Sequence, residues 1–210
     1  MSVRELRDLG RQLDAGVDRR AAGLAGRAAR AAEADDLVDV GYAFADGPLG
    51  RLLVAVTARG VVRVSYLATE GADQVLQELS AKVSPRVLES DRLTAEVRRE
   101  LDQYLAGTRR TFDVPVDLST VRGFGLRVLE VTAAIPFGRV LSYSQVAAAA
   151  GSARAARAAG NALGANPVPI IVPCHRVVPA GGGVGGYAGR PERKVALLRL
   201  EGSLPVRLPV

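Results

Sequence analysis

Residues 142–167 read SYSQVAAAAGSARAARAAGNALGANP. Ser142 is suited to cap a short helix from Tyr143 to Ala149, which Gly151 ends. A second helix, Arg154 to Leu163, follows after a brief turn, and Asn166-Pro167 stops it. Two short helices joined by a Gly-containing turn outline a helix-turn-helix. Upstream, a helix from about Gly123 to Ala134 ends before the turn Pro136-Phe137-Gly138. Downstream, Val168 to Val178 reads as an extended apolar run broken by Pro169 and Pro173. A glycine-rich loop over 181–189 then leads to a last helix, Pro191 to about Leu200, with proline at its first turn.

The preceding segment has a different character. Val40–Ala45, Arg51–Thr57 and Val61–Tyr66 are β-branched or apolar runs separated by turn signals, which predicts a three-stranded antiparallel meander. Leu76 and Leu79 mark a helix over 71–82, and Leu93, Val97, Leu101 and Leu105 mark another that stops at Gly107. No cluster in this module suggests chemistry. Ahead of it, Ser2 and Glu5 form a capping box before Leu6, Leu9 and Leu13, so residues 1–37 read as a helical extension of unassigned role. The expected fold is α+β: a small antiparallel-sheet N-terminal domain over 38–115, then a mostly helical domain over 119–202 that carries the helix-turn-helix.

Composition removes several classes. With 210 residues and one cysteine, no intrachain disulfide framework is available. One cysteine and one histidine cannot build a Cys/His zinc site, so no metal and no cofactor is expected. No apolar run approaches a membrane span, and Glu5, Asp8, Asp14 and Asp18 interrupt any signal-peptide pattern. The expected location is the cytoplasm, with the nucleoid as the place of work. The formal net charge is +6, and residues 151–200 alone carry Arg154, Arg157, Arg176, Arg190, Arg193, Lys194 and Arg199 against Glu192. Such a segment reads either as a footprint for a polyanion, nucleic acid first, or as a solvated basic face.

The lone cysteine and lone histidine are neighbours, Cys174-His175, and Arg176 follows. Singly they read as buried core residues; together they suggest a nucleophile whose thiol pKa is lowered by a base and positive charge. In an extended strand the two side chains would face opposite ways, so contact needs a bridging water or a kink at Pro173. Gly181, Gly183 and Gly186 satisfy the dinucleotide fingerprint, but no helix opens at the third glycine, so the glycines read as loop flexibility. The second helix of the pair carries Ala155, Ala156, Ala158, Gly160 and Asn161 around Arg154 and Arg157. Either it is a plain buried helix, or its backbone approaches a narrow groove with arginine as the one long probe.

These residues resemble a family. Asn166-Pro167-Val168-Pro169-Ile170-Ile171-Val172-Pro173-Cys174-His175-Arg176-Val177-Val178 is similar to the active-site signature of O6-alkylguanine-DNA alkyltransferases. The likeness includes Ile135-Pro136-Phe137-Gly138, Leu141-Ser142-Tyr143 and Arg157-Ala158-Ala159-Gly160-Asn161 upstream. Downstream it includes Gly186-Tyr187-Ala188-Gly189, Lys194, Leu197-Leu198 and Glu201-Gly202. The meander fits the family's variable N-terminal domain more loosely.

The resemblance implies single-turnover repair of O6-alkylguanine in double-stranded DNA, with O4-alkylthymine as a second lesion, by a monomer. Cys174 would accept the alkyl group. His175 would deprotonate it through a water, and Glu201 would orient the imidazole. Tyr143 would support the departing guanine oxygen, and Asn166 would brace the turn into the site. Arg157 would fill the stack left by the flipped base, on a DNA-binding helix that includes Arg154, Ala155, Ala156, Ala158, Gly160 and Asn161. Tyr187, Val177, Ala188 and Lys194 would form the base pocket; many members have serine at the position of Ala188, and the usual Gly-Leu is Arg190-Pro191 here. The competing readings are a non-catalytic binder that flags alkylated DNA for other pathways, and a cysteine hydrolase.

Overall fold

The computed structural model describes residues 37–187 and 190–204. The helical reading of residues 1–36 and the pocket role of Ala188 lie outside the described residues. The first module is a four-stranded sheet of β1 (Val40–Ala45), β2 (Leu52–Thr57), β3 (Gly60–Tyr66) and β4 (Val87–Glu89), in the order β3-β2-β1-β4. The meander is antiparallel, with Tyr42 opposite Ala55 and Val54 opposite Val64. The sequence reading has no counterpart for β4. It adds a three-residue edge parallel to β1, pairing Gly41 with Leu88, and is too short for any periodicity.

Alternation along the strands divides their side chains between two cores. Leu53, Ala55 and Val62 face α1 (Ala72–Lys82) and its Val75 and Leu79. Leu52, Val54, Val64 and Tyr66 face the other way, into a cluster shared with Val97, Leu101 and Tyr104 of α2 (Asp91–Leu105) and with the helical domain. That shared cluster fixes the sheet module against the helical half. Ser90 caps α2 by accepting from the Leu93 N–H at 3.1 Å. Gly60 sits at φ 130°, where a Cβ would lie 2.3 Å from the Pro115 oxygen; only glycine permits the strand there to be joined by the 115–117 segment.

The second module contains α3 (Gly123–Ala133), β5 (Leu141–Ser142), α4 (Tyr143–Ala149), α5 (Ala156–Gly164), β6 (Val177–Val178) and α6 (Pro191–Leu200). Ser142 makes a full capping box with Gln145, which starts α4 at Tyr143 as the sequence predicts. The start of α5 differs from that expectation. Arg154 and Ala155 belong to the turn, closed by the Ala155 N–H on the Ser152 oxygen at 3.0 Å, and the helix begins at Ala156. Its N-cap is an alanine with no side-chain cap bond, so an Ala/Arg-rich stretch carries no mark of where the helix opens. β5 and β6 pair in parallel, Leu141 with Val177, and so bring the base of α4 beside the Cys174 segment.

Candidate active site

The segment around Cys174 is less extended than its sequence suggests, and of the two routes left open there it takes the kink at Pro173. Cys174–Arg176 forms a single 3₁₀ turn after Pro173, whose φ of −81° and ψ of 63° supply the kink. The Arg176 N–H bonds the Pro173 oxygen at 2.9 Å, and the Cys174 N–H bonds the Val172 oxygen at 2.8 Å. The turn frees Cys174 and His175 from the opposite-face geometry of a strand. Just upstream, buried Ile170 has a φ of 76°, costly for a β-branched residue by about 1–3 kcal/mol. Asn166 holds this strained loop closed: its Oδ1 accepts from the Val168 N–H at 3.0 Å, and its Nδ2 donates to the Val172 oxygen at 2.9 Å.

The His175 ring is fully buried. Its Nε2 lies 2.8 Å from Glu201 Oε1, while Nδ1 makes no hydrogen bond to any described residue. Arg176 grips the same carboxylate, Nε donating to both oxygens at 3.1 and 3.0 Å and Nη2 to Oε1 at 3.0 Å. The Gly138 N–H donates to Oε2 at 3.2 Å, and the Tyr104 hydroxyl donates to Oε1. Burial works against the anion, but the hydrogen bonds and charges of His175 and Arg176 outweigh it and hold the Glu201 carboxyl down at about 2. Burial pushes the imidazole below its ordinary value, with Glu201 opposing and Arg176 and Lys194 adding to the shift. The pair is therefore a carboxylate with a neutral imidazole at pH 7. Facing an acceptor-only carboxylate, Nε2 carries the proton and Nδ1 is left as a base.

Cys174 is 8% exposed and lies at the floor of an open pocket of about 490 Å³, whose walls include Tyr143, Gly160, Leu163, Tyr187 and Pro191. Burial pushes its thiol up, while the Asn166 amide and the Lys194 ammonium act in the other direction. The resting group is a thiol that needs a base. Lys194 is buried, its Nζ donates to the Val177 oxygen and stands 5.7 Å from the Tyr143 ring centre, and burial lowers its pKa to about 8. Lys194 and Val177, expected in the base pocket, are both fully buried and bonded to each other. Burial also raises the Tyr143 hydroxyl, which stays protonated as a donor. Gly160 of α5 lines the same pocket, and a Cβ there would lie 3.8 Å from the Tyr143 ring.

On the outer side of α5, Arg157, Ala158 and Asn161 are exposed, with Arg154 exposed in the preceding turn. The basic surplus of residues 151–200 is not one surface. Arg176 is inside on Glu201, Lys194 is inside on Val177, and buried Arg193 stacks 4.1 Å over the Tyr66 ring. Arg154, Arg157, Arg190 and Arg199 remain exposed. A charge count along a sequence does not distinguish cations that solvate from cations that pair within.

Two contacts to residues of the site come from the module in which the sequence suggested no chemistry. Tyr104 reaches Glu201, and the Tyr66 hydroxyl lies 3.1 Å from that of Tyr187 on the pocket wall. Helical periodicity assigns Tyr104 to a core stripe, and nothing local signals a partner 97 residues away.

Comparison with known proteins bears on this arrangement. Residues 123–203 match the model for the 6-O-methylguanine DNA methyltransferase DNA binding domain, and residues 40–118 match the model for that family's ribonuclease-like domain. The constitutive methylated-DNA–protein-cysteine methyltransferase of Bacillus subtilis is 35% identical over 76% of this chain and 94% of its own length. Its namesake from Methanosarcina acetivorans is 34% identical over 77% of this chain and 98% of its own length. Among solved structures, the O6-methylguanine methyltransferase of Mycobacterium tuberculosis superposes with a TM-score of 0.67 at 34% identity, covering 80% of this chain and 96% of that one. M. tuberculosis OGT in complex with DNA gives a TM-score of 0.66 at 34% identity, covering 78% and 93%. No helix among the described residues is long and apolar enough to cross a membrane. With both modules matched and relatives aligned over most of the chain, this protein belongs to the methylated-DNA–protein-cysteine methyltransferase family.

Proposed function

We propose that this chain reverses O6-alkylguanine damage in double-stranded DNA directly, taking the alkyl group onto Cys174 in a single turnover as a monomer. The observation that carries the reading is a thiol at the floor of an open pocket, followed in sequence by a buried imidazole whose Nε2 is held by Glu201 and whose Nδ1 is bonded to no described residue. The damaged base leaves the stack at a cost of a few kcal/mol, least for a weakly paired lesion, and enters between Tyr143 and Tyr187. The Cys174 proton passes through a water to His175 Nδ1. The charge of the resulting imidazolium is balanced by Glu201. The thiolate attacks the saturated alkyl carbon in line; the S–C bond forms as the C–O bond breaks, and the electron pair leaves on the guanine oxygen. The Tyr143 hydroxyl gives that oxygen a proton and regains one from the imidazolium through solvent. Lys194 supports the thiolate with positive charge. A thioether has no easy hydrolysis, so each molecule acts once.

Incubation with a duplex containing O6-methylguanine, followed by peptide mass spectrometry, tests the assignment. A methyl in place of the thiol hydrogen on Cys174, at most one per chain, is expected. Binding with no mass gain would return the chain to the non-catalytic class, and turnover with a free thiol would make it a hydrolase.

In this reading the exposed Arg157 side chain fills the gap left by the base. Arg157→Ala is expected to slow repair of duplex DNA at least about tenfold, about 1.4 kcal/mol in barrier. Reaction with free O6-benzylguanine, which needs no flipping, should hardly change. Equal losses on both substrates would show that Arg157 supports the fold instead of the flip.

A further inference from the structure

Tyr104 of α2 is fully buried in the seam between the two modules. Its ring packs 5.0 Å from Phe112 and edge-on to Phe137 at 6.1 Å, contacts that a phenylalanine would make equally well. A buried hydroxyl is costly unless bonded, and this one is bonded at the Glu201–His175–Arg176 cluster: it donates to Glu201 Oε1, lies 3.4 Å from His175 Nε2 and also meets the Arg176 guanidinium. Burial and the Glu201 charge keep the phenol protonated, so its one proton goes to the acceptor-only carboxylate. If the phenol instead donated to Nε2, the imidazole proton would move to Nδ1, the nitrogen the mechanism above uses as base. With the carboxylate taking both protons on one oxygen, that alternative is closed.

We propose that Tyr104 is a positioning residue for alkyl transfer: its hydroxyl locks Glu201 Oε1 against His175 Nε2 and so keeps Nδ1 free to receive the thiol proton. The sheet module thereby completes the reaction centre. The inference rests on the functional reading above. The other charged and titratable groups facing the pair are Arg176 on the 3₁₀ turn, Lys194 of α6, and Cys174 and Tyr187. Arg176 and the Gly138 N–H hold the carboxylate from its other sides, so Tyr104 refines a carboxylate that is already anchored.

The experiment is single-turnover transfer by Tyr104→Phe in the full-length chain across pH 5 to 9, beside equilibrium binding to the same duplex. The rate should fall about tenfold, a fraction of what a positioned base contributes, with affinity unchanged. With one donor fewer on Oε1, the carboxylate pulls harder on the Nε2 proton and the imidazole protonates at higher pH. The acid limb of the rate profile should move up accordingly. In a Glu201→Gln background, adding Tyr104→Phe should change the rate by less than about twofold, because the group it positions is gone. A wild-type rate in Tyr104→Phe, a loss independent of pH, or a full additive loss in the double variant would each overturn the proposal. Absence of transfer by the wild-type chain would instead overturn the functional reading itself.

Discussion

Cys174→Ser is expected to yield no stoichiometric dealkylation of O6-methylguanine DNA while leaving duplex affinity and folding near wild type. The attack is on a saturated carbon, and it depends on a soft anion. A serine hydroxyl at the same place is harder and far less acidic, and His175 as a neutral base of depressed pKa cannot ionise it to a useful extent. The two side chains are close in size, and Cys174 is the sole cysteine of the chain, so no other thiol can substitute. Its apolar neighbours, Val172 and Tyr187 among them, pack the same way around either. In the proposed reading binding draws on Arg154, Arg157 and the α5 backbone; both arginines are exposed and neither lines the pocket. Gel-shift affinity and methyl-transfer counting on one preparation measure both halves. Stoichiometric dealkylation by the serine variant would remove Cys174 from the chemistry.

The elements most legible from sequence are those with local punctuation. Ser142 followed by Gln145 starts a helix at Tyr143, Gly107 ends one by turning left-handed past its C-cap, and Pro136 bars another from continuing. The three meander strands are readable because β-branched runs alternate between turns. Where sequence reading departs from the structure, the deciding partner is often distant or leaves no mark in the local residues. β4 exists because β1 offers an edge to Val87–Glu89. The 3₁₀ turn at Cys174 arises where Pro173 kinks the chain and Asn166 closes the loop before it. Pro173 marks in the sequence where the chain can kink, but the valine- and isoleucine-rich run around it gives no sign of the closure by Asn166.

The candidate site divides along the same line. Cys174-His175 stands out because the two rarest reactive residue types are adjacent, and the resemblance to a family supplies Glu201 and Tyr143. Neither route reaches Tyr104 or Tyr66. Their hydroxyls act 97 and 121 residues away, and only the packing of the sheet face against the helical domain brings them there. Arg176 shows the converse. Its charge is evident, yet counting it toward a DNA footprint misassigns it, since its guanidinium is spent on Glu201 and the Ile135 oxygen.

Glu201→Gln should be costly to both stability and chemistry. Every group around the carboxylate is a donor: His175 Nε2–H, the Arg176 guanidinium, the Tyr104 hydroxyl and the Gly138 N–H. Glutamine has the same shape but turns one acceptor into an NH₂ that meets those donors head-on, and it leaves buried Arg176 without its anion. Breaking a buried pair in this way costs about 3–5 kcal/mol. The acid dependence follows from the depressed carboxyl. Folded near 2 against an ordinary 4.5, Glu201 contributes its full stabilisation above about 4.5 and loses it as pH falls toward 2. The stability gap between wild type and variant in urea titrations should therefore be widest near pH 7 and narrow steadily below pH 4.5. His175, neutral and buried with a lowered pKa, takes up protons more readily when unfolded, so both forms should weaken as pH drops below about 6.5. Transfer should slow about a hundredfold at pH 7, the lower end of what general-base assistance provides. The imidazolium has then lost its counter-charge, so the rate should keep climbing with pH as the thiol ionises unaided. A rate profile over pH 6 to 9 that superimposes on wild type would take Glu201 and His175 out of the mechanism, leaving the carboxylate as an anchor for Arg176 alone.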